Sequence, residues 1–127
     1  MQKARLLTAL IVAILVIAPV VMAIAGRGLA APAPVRIEVK AREFLFDPKE
    51  LSARPVEVTF AVKNEGSIEH NFIIEDANRR TVAQIPVIEV GKTEELKVTL
   101  RPGTYTIACN LPGHKDAGMI GTLKVQP

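Results

Sequence analysis

Residues 103–125 read GTYTIACNLPGHKDAGMIGTLKV and are the most informative stretch of the chain. Apolar side chains recur at every second residue at Tyr105, Ile107 and Cys109, and the repeat resumes from Met119 onward. A repeat of two residues is typical of a β-strand with one buried face. The stretch therefore predicts two neighbouring strands joined by the loop between Cys109 and Met119.

The same repeat occurs upstream, and turn-forming residues separate its copies. It covers residues 35–39, 56–62 and 96–100, and a further strand is predicted to begin at His70. The turns contain Asp47-Pro48, Asn64-Glu65-Gly66, Val90-Gly91-Lys92 and Arg101-Pro102-Gly103. Residues 76–89 are predicted to form a loop with one irregular strand. About seven or eight short strands spaced by turns predict an all-β fold, an antiparallel sandwich of two sheets.

An apolar run without charged residues occupies residues 6–25, and Lys3 and Arg5 precede it. This charge distribution predicts that the N-terminus stays in the cytoplasm and that the rest is exported. Residues 1–25 are therefore either a cleaved signal peptide or a retained signal-anchor. The run is long enough to span a bilayer as a transmembrane helix, which favours the anchor.

Residues 26–34 read GRGLAAPAP and separate this leader from the predicted strands. Alternating Ala and Pro residues favour an extended, fairly stiff chain. We therefore predict a tether over residues 26–34 and one folded domain over residues 35–127.

The net charge of +3 arises entirely from Lys3, Arg5 and Arg27, because 13 Lys and Arg balance 13 Asp and Glu from residue 31 onward. The folded part has no basic stripe with interleaved aromatic residues, so nucleic-acid binding is not expected. The single cysteine, Cys109, excludes an intrachain disulfide and a CxxC redox pair.

The predicted domain contains two histidines, one cysteine and one methionine, and three of these four residues lie on one loop. They are His70, Cys109, His114 and Met119. Because His70 begins a separate strand, only the folded sandwich could assemble all four. Two imidazoles, one thiolate and a weak axial thioether are the donor set of an electron-transfer copper site.

Each of these residues has an ordinary interpretation when taken alone, such as a buried cysteine or a core methionine. Their joint spacing is what favours a metal site. A nucleophilic Cys–His pair fits poorly, because Cys109 ends a strand and does not begin a helix. Zinc is disfavoured because a thioether is a poor ligand for it. A binuclear copper centre would need a second cysteine in the loop.

Three segments of the predicted domain resemble cupredoxins, the small blue copper proteins. They are AREFLFDPKEL (41–51), NEGSIEHNF (64–72) and residues 103–125. The Cys-x4-His-x4-Met spacing is similar to that of auracyanins and rusticyanin, whereas plastocyanins and azurins have one shorter gap. The resemblance covers residues 35–127 and implies a Greek-key β-sandwich that binds one copper ion, Cu(I) or Cu(II).

The resemblance also implies a role for each site residue. The equatorial ligands would be His70, Cys109 and His114, and the axial ligand would be Met119. Asn71 would hold the loop of Cys109 through hydrogen bonds near Asn110. Such outer hydrogen bonds keep metal ligands in position in both oxidation states.

By this interpretation the protein is a monomeric electron shuttle and not an enzyme. Leu111, Pro112 and Gly113 would surround the edge of His114 with an apolar docking patch. The expected partners are c-type cytochromes or membrane redox complexes on the periplasmic, outer face of the cytoplasmic membrane. Two alternatives stay open: a copper carrier that delivers copper to an oxidase, and an adhesion or scaffold sandwich without metal.

Overall fold

The computed structural model describes residues 32–127, in which nine strands follow one another. They are β1 (Val35–Arg42), β2 (Leu45–Asp47), β3 (Glu50–Ala53), β4 (Glu57–Asn64), β5 (His70–Glu75), β6 (Thr81–Ile88), β7 (Thr93–Thr99), β8 (Gly103–Ala108) and β9 (Ile120–Val125). The predicted all-β sandwich is confirmed, with nine strands where seven or eight were expected. The short strands β2 and β3 were not predicted.

The strands form two sheets, a first sheet in the order β2-β1-β4-β7 and a second in the order β3-β9-β8-β5-β6. Most neighbours are antiparallel, as predicted, but β1 pairs with β4 and β3 pairs with β9 in parallel. Parallel neighbours need a crossover connection. Here β3 lies in the second sheet between β2 and β4 along the chain, so the chain crosses between the sheets before β4 joins β1.

Three phenylalanines from the two sheets pack together in the core. Phe46 and Phe60 belong to the first sheet, and Phe72 on β5 reaches them from the second. The Phe72 ring centroid lies 5.4 Å from that of Phe46 and 5.7 Å from that of Phe60. All three side chains are fully buried or nearly so. This contact fixes one sheet against the other.

Strand β6 is the irregular strand that was predicted within residues 76–89. The strand takes up eight of these residues, and its pairing with β5 shifts register twice. It forms the edge of the second sheet, and Pro86 lies between the paired residues Ile85 and Ile88, where the register shifts. Edge strands and bulges are the places where a sheet tolerates proline. An edge strand with little burial shows no clear repeat of two residues, which explains why it was difficult to recognise.

The first strand begins at Val35, where the folded domain was predicted to begin. The predicted anchor or signal peptide over residues 1–25 and most of the predicted tether lie outside the described residues. Within residues 32–127 the structure has no helix of the length and hydrophobicity that crossing a membrane requires.

Candidate metal centre

Three of the four predicted ligands lie at strand ends of the second sheet, and the fourth, His114, lies on a loop. His70 is the first residue of β5, Cys109 directly follows β8, and Met119 directly precedes β9. Because β8 lies between β5 and β9, these ends are neighbours in space. His70, Cys109 and Met119 are all completely buried, whereas His114 on the intervening loop is partly exposed.

Backbone hydrogen bonds close the loop that carries His114. Cys109 N–H donates to Met119 O at 3.1 Å, which extends the β8–β9 pairing by one step, and Met119 N–H donates to His114 O at 3.0 Å. His114 N–H donates to Leu111 O at 3.0 Å, and Gly113 has a φ of 80°. Pro followed by a residue with positive φ is typical of a type II turn. This turn directs His114 back toward Cys109.

Three donor atoms converge at this place. The Nδ1 atoms of His70 and His114 are 3.3 Å apart, and Cys109 Sγ lies 3.3 Å from His114 Nδ1. Ligand atoms from these three residues all lie within 4.8 Å of one another. Two imidazole nitrogens and one thiolate sulfur are donors that suit copper, so the residues present fit this metal. Met119 is buried at the base of the same loop and offers a thioether as the fourth donor.

The surroundings of His70 and of the nearby Glu43 determine the charge of each side chain. Burial lowers the pKa of His70, although the nearby Glu43 opposes this effect. The imidazole is therefore neutral at pH 7 and has a lone pair available for a metal. The Ser67 N–H hydrogen bond lowers the pKa of Glu43, so this carboxylate is ionised.

Asn71 connects the strand of His70 with the loop of Cys109. Its Nδ2 donates to Asn110 Oδ1 at 2.6 Å, and its Oδ1 accepts from Asn110 N–H at 2.9 Å. The backbone N–H of Asn71 also points at Cys109 Sγ, at 3.4 Å. This contact helps to hold the sulfur in place beside the strand of His70. The contact between Asn71 and Asn110 is the one that the resemblance implied.

Asn64 organises the segment that leads into His70. This residue is completely buried, and its Nδ2 donates to Ile68 O at 2.8 Å and to Ile88 O at 2.9 Å. Its Oδ1 accepts from Gly66 N–H at 2.9 Å, which forms an Asx-turn. The side chain therefore holds the connection between β4 and β5 against the end of β6.

Two residues at the site, Glu43 and Phe44, were not identified from the sequence. They lie in the turn between β1 and β2, and both contact a histidine. Glu43 Oε1 is 3.4 Å from His70 Nε2, and the Phe44 ring meets the His114 ring edge-on with centroids 5.0 Å apart. Their only sequence signal is their place in the segment AREFLFDPKEL, because the histidines that they contact are distant in the sequence.

The apolar surface around His114 differs in part from the docking patch that was predicted from the sequence. Pro112 and Gly113 are exposed beside His114, but Leu111 is only partly exposed and packs against the core. Phe44 is 38% exposed and adds an apolar ring to the edge of His114. The apolar surface around His114 therefore comes from the β1–β2 turn as well as from the ligand loop.

Comparison with known proteins agrees with this geometry. A family model described as the cupredoxin-like domain matches residues 8–121, which is most of the chain. The chain belongs to the cupredoxin family. The resemblance noted in the sequence is thus confirmed, and the fold, the family and the donor set together identify copper as the cofactor of this cupredoxin.

Solved structures show the same fold. Auracyanin from Roseiflexus castenholzii superposes with a TM-score of 0.67 at 23% identity, over 76% of this chain and 100% of that one. Auracyanin A, a blue copper protein from Chloroflexus aurantiacus, gives a TM-score of 0.66 at 26% identity, over 74% of this chain and 100% of its own. Reduced rusticyanin gives 0.59 at 20% identity, over 76% and 83% respectively.

The cupredoxin also has relatives described as the copper-resistant cuproprotein CopI. The protein from Pseudomonas aeruginosa is 28% identical in an alignment that covers 77% of this chain and 80% of the relative. Those from Rubrivivax gelatinosus and Vibrio cholerae are 28% and 29% identical, over 64% and 61% of this chain. The matched regions span 59% and 56% of these two relatives.

Proposed function

We propose that this protein is a mononuclear type 1 copper protein that carries single electrons between redox partners and transforms no substrate. The observation that supports this most directly is the convergence of ligand atoms from His70, Cys109 and His114, which all lie within 4.8 Å of one another. In this proposal Met119 is the axial ligand. When bound, copper supplies a couple between Cu(II) and Cu(I).

The residues around the site support this role in two ways. Three of the four proposed ligands are completely buried at strand ends that the β-sheet holds, so the site changes little with oxidation state. Only His114 is partly exposed, and its edge lies beside apolar surface. The ring of His114 is therefore the route by which an electron reaches a partner.

A copper carrier is the second candidate, and the CopI relatives favour it. Their description as copper-resistant cuproproteins is compatible with a protein that takes up or hands over copper. A carrier must release its metal readily, whereas His70 and Cys109 are completely buried here. This burial is our reason for preferring the electron carrier.

The two functions predict different behaviour of the copper-loaded protein. An electron carrier should have intense visible absorbance, give a reversible voltammogram and retain its metal when a Cu(I) chelator is added after reduction. A carrier of copper should lose the metal to the chelator at that step. A colourless protein that binds no copper would contradict both candidates.

Met119→Gln is expected to lower the reduction potential, because an oxygen donor favours Cu(II) over the softer thioether. Each tenfold change in the relative affinity for the two oxidation states shifts the potential by about 59 mV. Met119→Leu is the matched control, since it keeps a similar volume without any donor atom, and it should shift the potential upward. Voltammetry that moves both variants in the same direction would show that Met119 is not the axial ligand.

We further propose that the domain works outside the cytoplasm and is tethered to the membrane. Lys3 and Arg5 before the apolar residues 6–25 support this orientation. Its partners are then c-type cytochromes or membrane redox complexes on the outer face. From residue 31 onward the charges balance, so long-range steering should be weak and transfer rates should depend little on salt.

Pro112→Asp is expected to slow electron transfer to such a partner by about tenfold while the spectrum and potential change little. A charge in an apolar docking surface must lose its hydration when the partner binds, which weakens a small transient interface. Pro112 is a better position than Leu111, since Leu111 also packs against the core. Stopped-flow mixing with a reduced c-type cytochrome measures the rate.

Ser52→Asp is the matched control for the docking variant. It introduces the same side chain at an exposed position on β3, opposite Lys124 of β9. Its transfer rate should equal that of the wild type. If Pro112→Asp is as fast as this control, the edge of His114 is not the docking site.

A further inference from the structure

The two ring nitrogens of His70 have different environments. Nδ1 faces the proposed metal position, 3.3 Å from His114 Nδ1. Nε2 points away from it, is buried, and has no partner at ordinary hydrogen-bond geometry within residues 32–127. Its near neighbour is Glu43 Oε1 at 3.4 Å, a separation within ion-pair range. A buried ring nitrogen beside a single carboxylate is an arrangement that needs a physical explanation.

Two backbone N–H groups hold the Glu43 carboxylate in a defined position. Its Oε1 accepts from Ser67 N–H at 2.7 Å and from Ile68 N–H at 3.2 Å. A Cβ at residue 66 would overlap this carboxylate, so Gly66 leaves the room that it fills. The groups that bind the carboxylate thus belong to the same β4–β5 connection that Asn64 holds. This connection ends at His70.

Glu43 also differs from the other carboxylate in this region. Glu65 contacts three basic side chains: Lys40, Arg42 and Lys63. In the described part of the chain, the one ion-pair contact of Glu43 is with His70. The charge of Glu43 is therefore directed at the histidine and is not neutralised by a lysine or an arginine.

From this geometry we propose that Glu43 is a positioning residue of the metal centre, which holds the Nε2 side of His70 and favours the higher oxidation state of the bound metal. The inference rests on His70 being a ligand, as proposed above. A carboxylate that accepts the Nε2 proton selects the tautomer in which the Nδ1 lone pair is free for the metal. Its negative charge also stabilises a divalent cation more than a monovalent one.

Glu43→Gln separates the charge from the hydrogen bonds. The amide oxygen can still accept from Ser67 and Ile68 and stay beside His70 Nε2, while the negative charge is lost. We expect the affinity for Cu(II) relative to Cu(I) to fall about tenfold. This is the lower end of the range of affinity losses that is typical when a residue behind a metal ligand is changed. This corresponds to an upward shift of the reduction potential by about 59 mV.

Gly66→Ala tests the position of the charge without removing it. Its backbone is outside the left-handed region, so alanine fits the local conformation, and the methyl group displaces the end of a flexible side chain. The potential should rise in this variant as well. The control is Glu57→Gln, which removes one exposed charge at the opposite end of β4, about 23 Å from Asn64 along the strand, and should leave the potential unchanged.

The copper-free protein gives an independent measurement. Nitrogen NMR of the His70 ring should show the Nε2–H tautomer in the wild type and in Glu43→Gln, and a mixture of tautomers in Glu43→Leu. Potentials equal to wild type in Glu43→Gln and Gly66→Ala, or a single tautomer in Glu43→Leu, would overturn the inference. A wild-type protein that is colourless with copper would instead overturn the proposed function, and the NMR result would still decide the role of Glu43.

Discussion

Cys109→Ser is expected to abolish the intense visible absorbance of the copper-loaded protein while the fold stays intact. Only a thiolate is a soft enough donor to give this colour through charge transfer to copper, and serine has a neutral, hard hydroxyl at neutral pH. Cys109 is the only cysteine in the chain and is completely buried. The loss should therefore be complete, and the affinity for Cu(I) should fall with it.

The fold should survive this change because serine is only slightly smaller than cysteine. In addition, Asn71 N–H can donate to the serine oxygen. We expect the copper-free variant to lose about 1 kcal/mol of stability, as ordinary substitutions do. Absorbance during copper titration and circular dichroism measure the two effects. Ala108→Ser is the matched control, since it buries the same hydroxyl on the opposite face of the strand and should stay coloured. Colour in Cys109→Ser would contradict a type 1 site.

The strands of the central sheets could be predicted because their burial alternates. In β1 the buried or partly buried residues are Val35, Ile37, Val39 and Ala41, and the charged residues between them are exposed. In β9 the same alternation includes Gly121, where a side chain would collide with Lys49 O. A repeat of two residues records one face in the core, so the sequence carries this information directly.

The parallel pairs could not be predicted in the same way. Alternation shows which face of a strand is buried but not which strand lies beside it. The fold places β1 beside β4, and the contacts among Phe46, Phe60 and Phe72 pack the two sheets together. Those contacts join residues that are distant in the chain, and no local pattern describes them.

The residues of the metal site also differ in whether they could be predicted from the sequence. The four proposed ligands could be selected from the sequence because they are rare residue types with a characteristic spacing. Glu43 and Phe44 are common residue types in a turn, and their function depends on which histidine the fold places beside them. Asn64 was predicted as part of a turn, where an exposed position is usual, yet it is completely buried.

The burial of Asn64 leads to the second large effect that we expect. Asn64→Ala removes three side-chain hydrogen bonds, and it leaves Ile68 O, Ile88 O and Gly66 N–H without this partner. An unsatisfied buried polar group costs about 1–3 kcal/mol. The copper-free variant should therefore lose about 3 kcal/mol of stability, which lowers the melting temperature of a domain of this size by about 15 °C. Urea unfolding and thermal melts measure the loss.

The same substitution should also affect the metal centre, because Asn64 holds the segment that contains Ser67 and ends at His70. If that segment loosens, His70 is held less firmly, and copper should dissociate faster from the variant than from the wild type. Asn78→Ala is the control, since this asparagine is exposed in the β5–β6 turn and should change stability by less than about 0.5 kcal/mol. Metal binds only the folded state, so excess copper should restore part of the lost stability. A variant as stable as the control, with unchanged copper release, would show that the β4–β5 connection is held by its backbone alone.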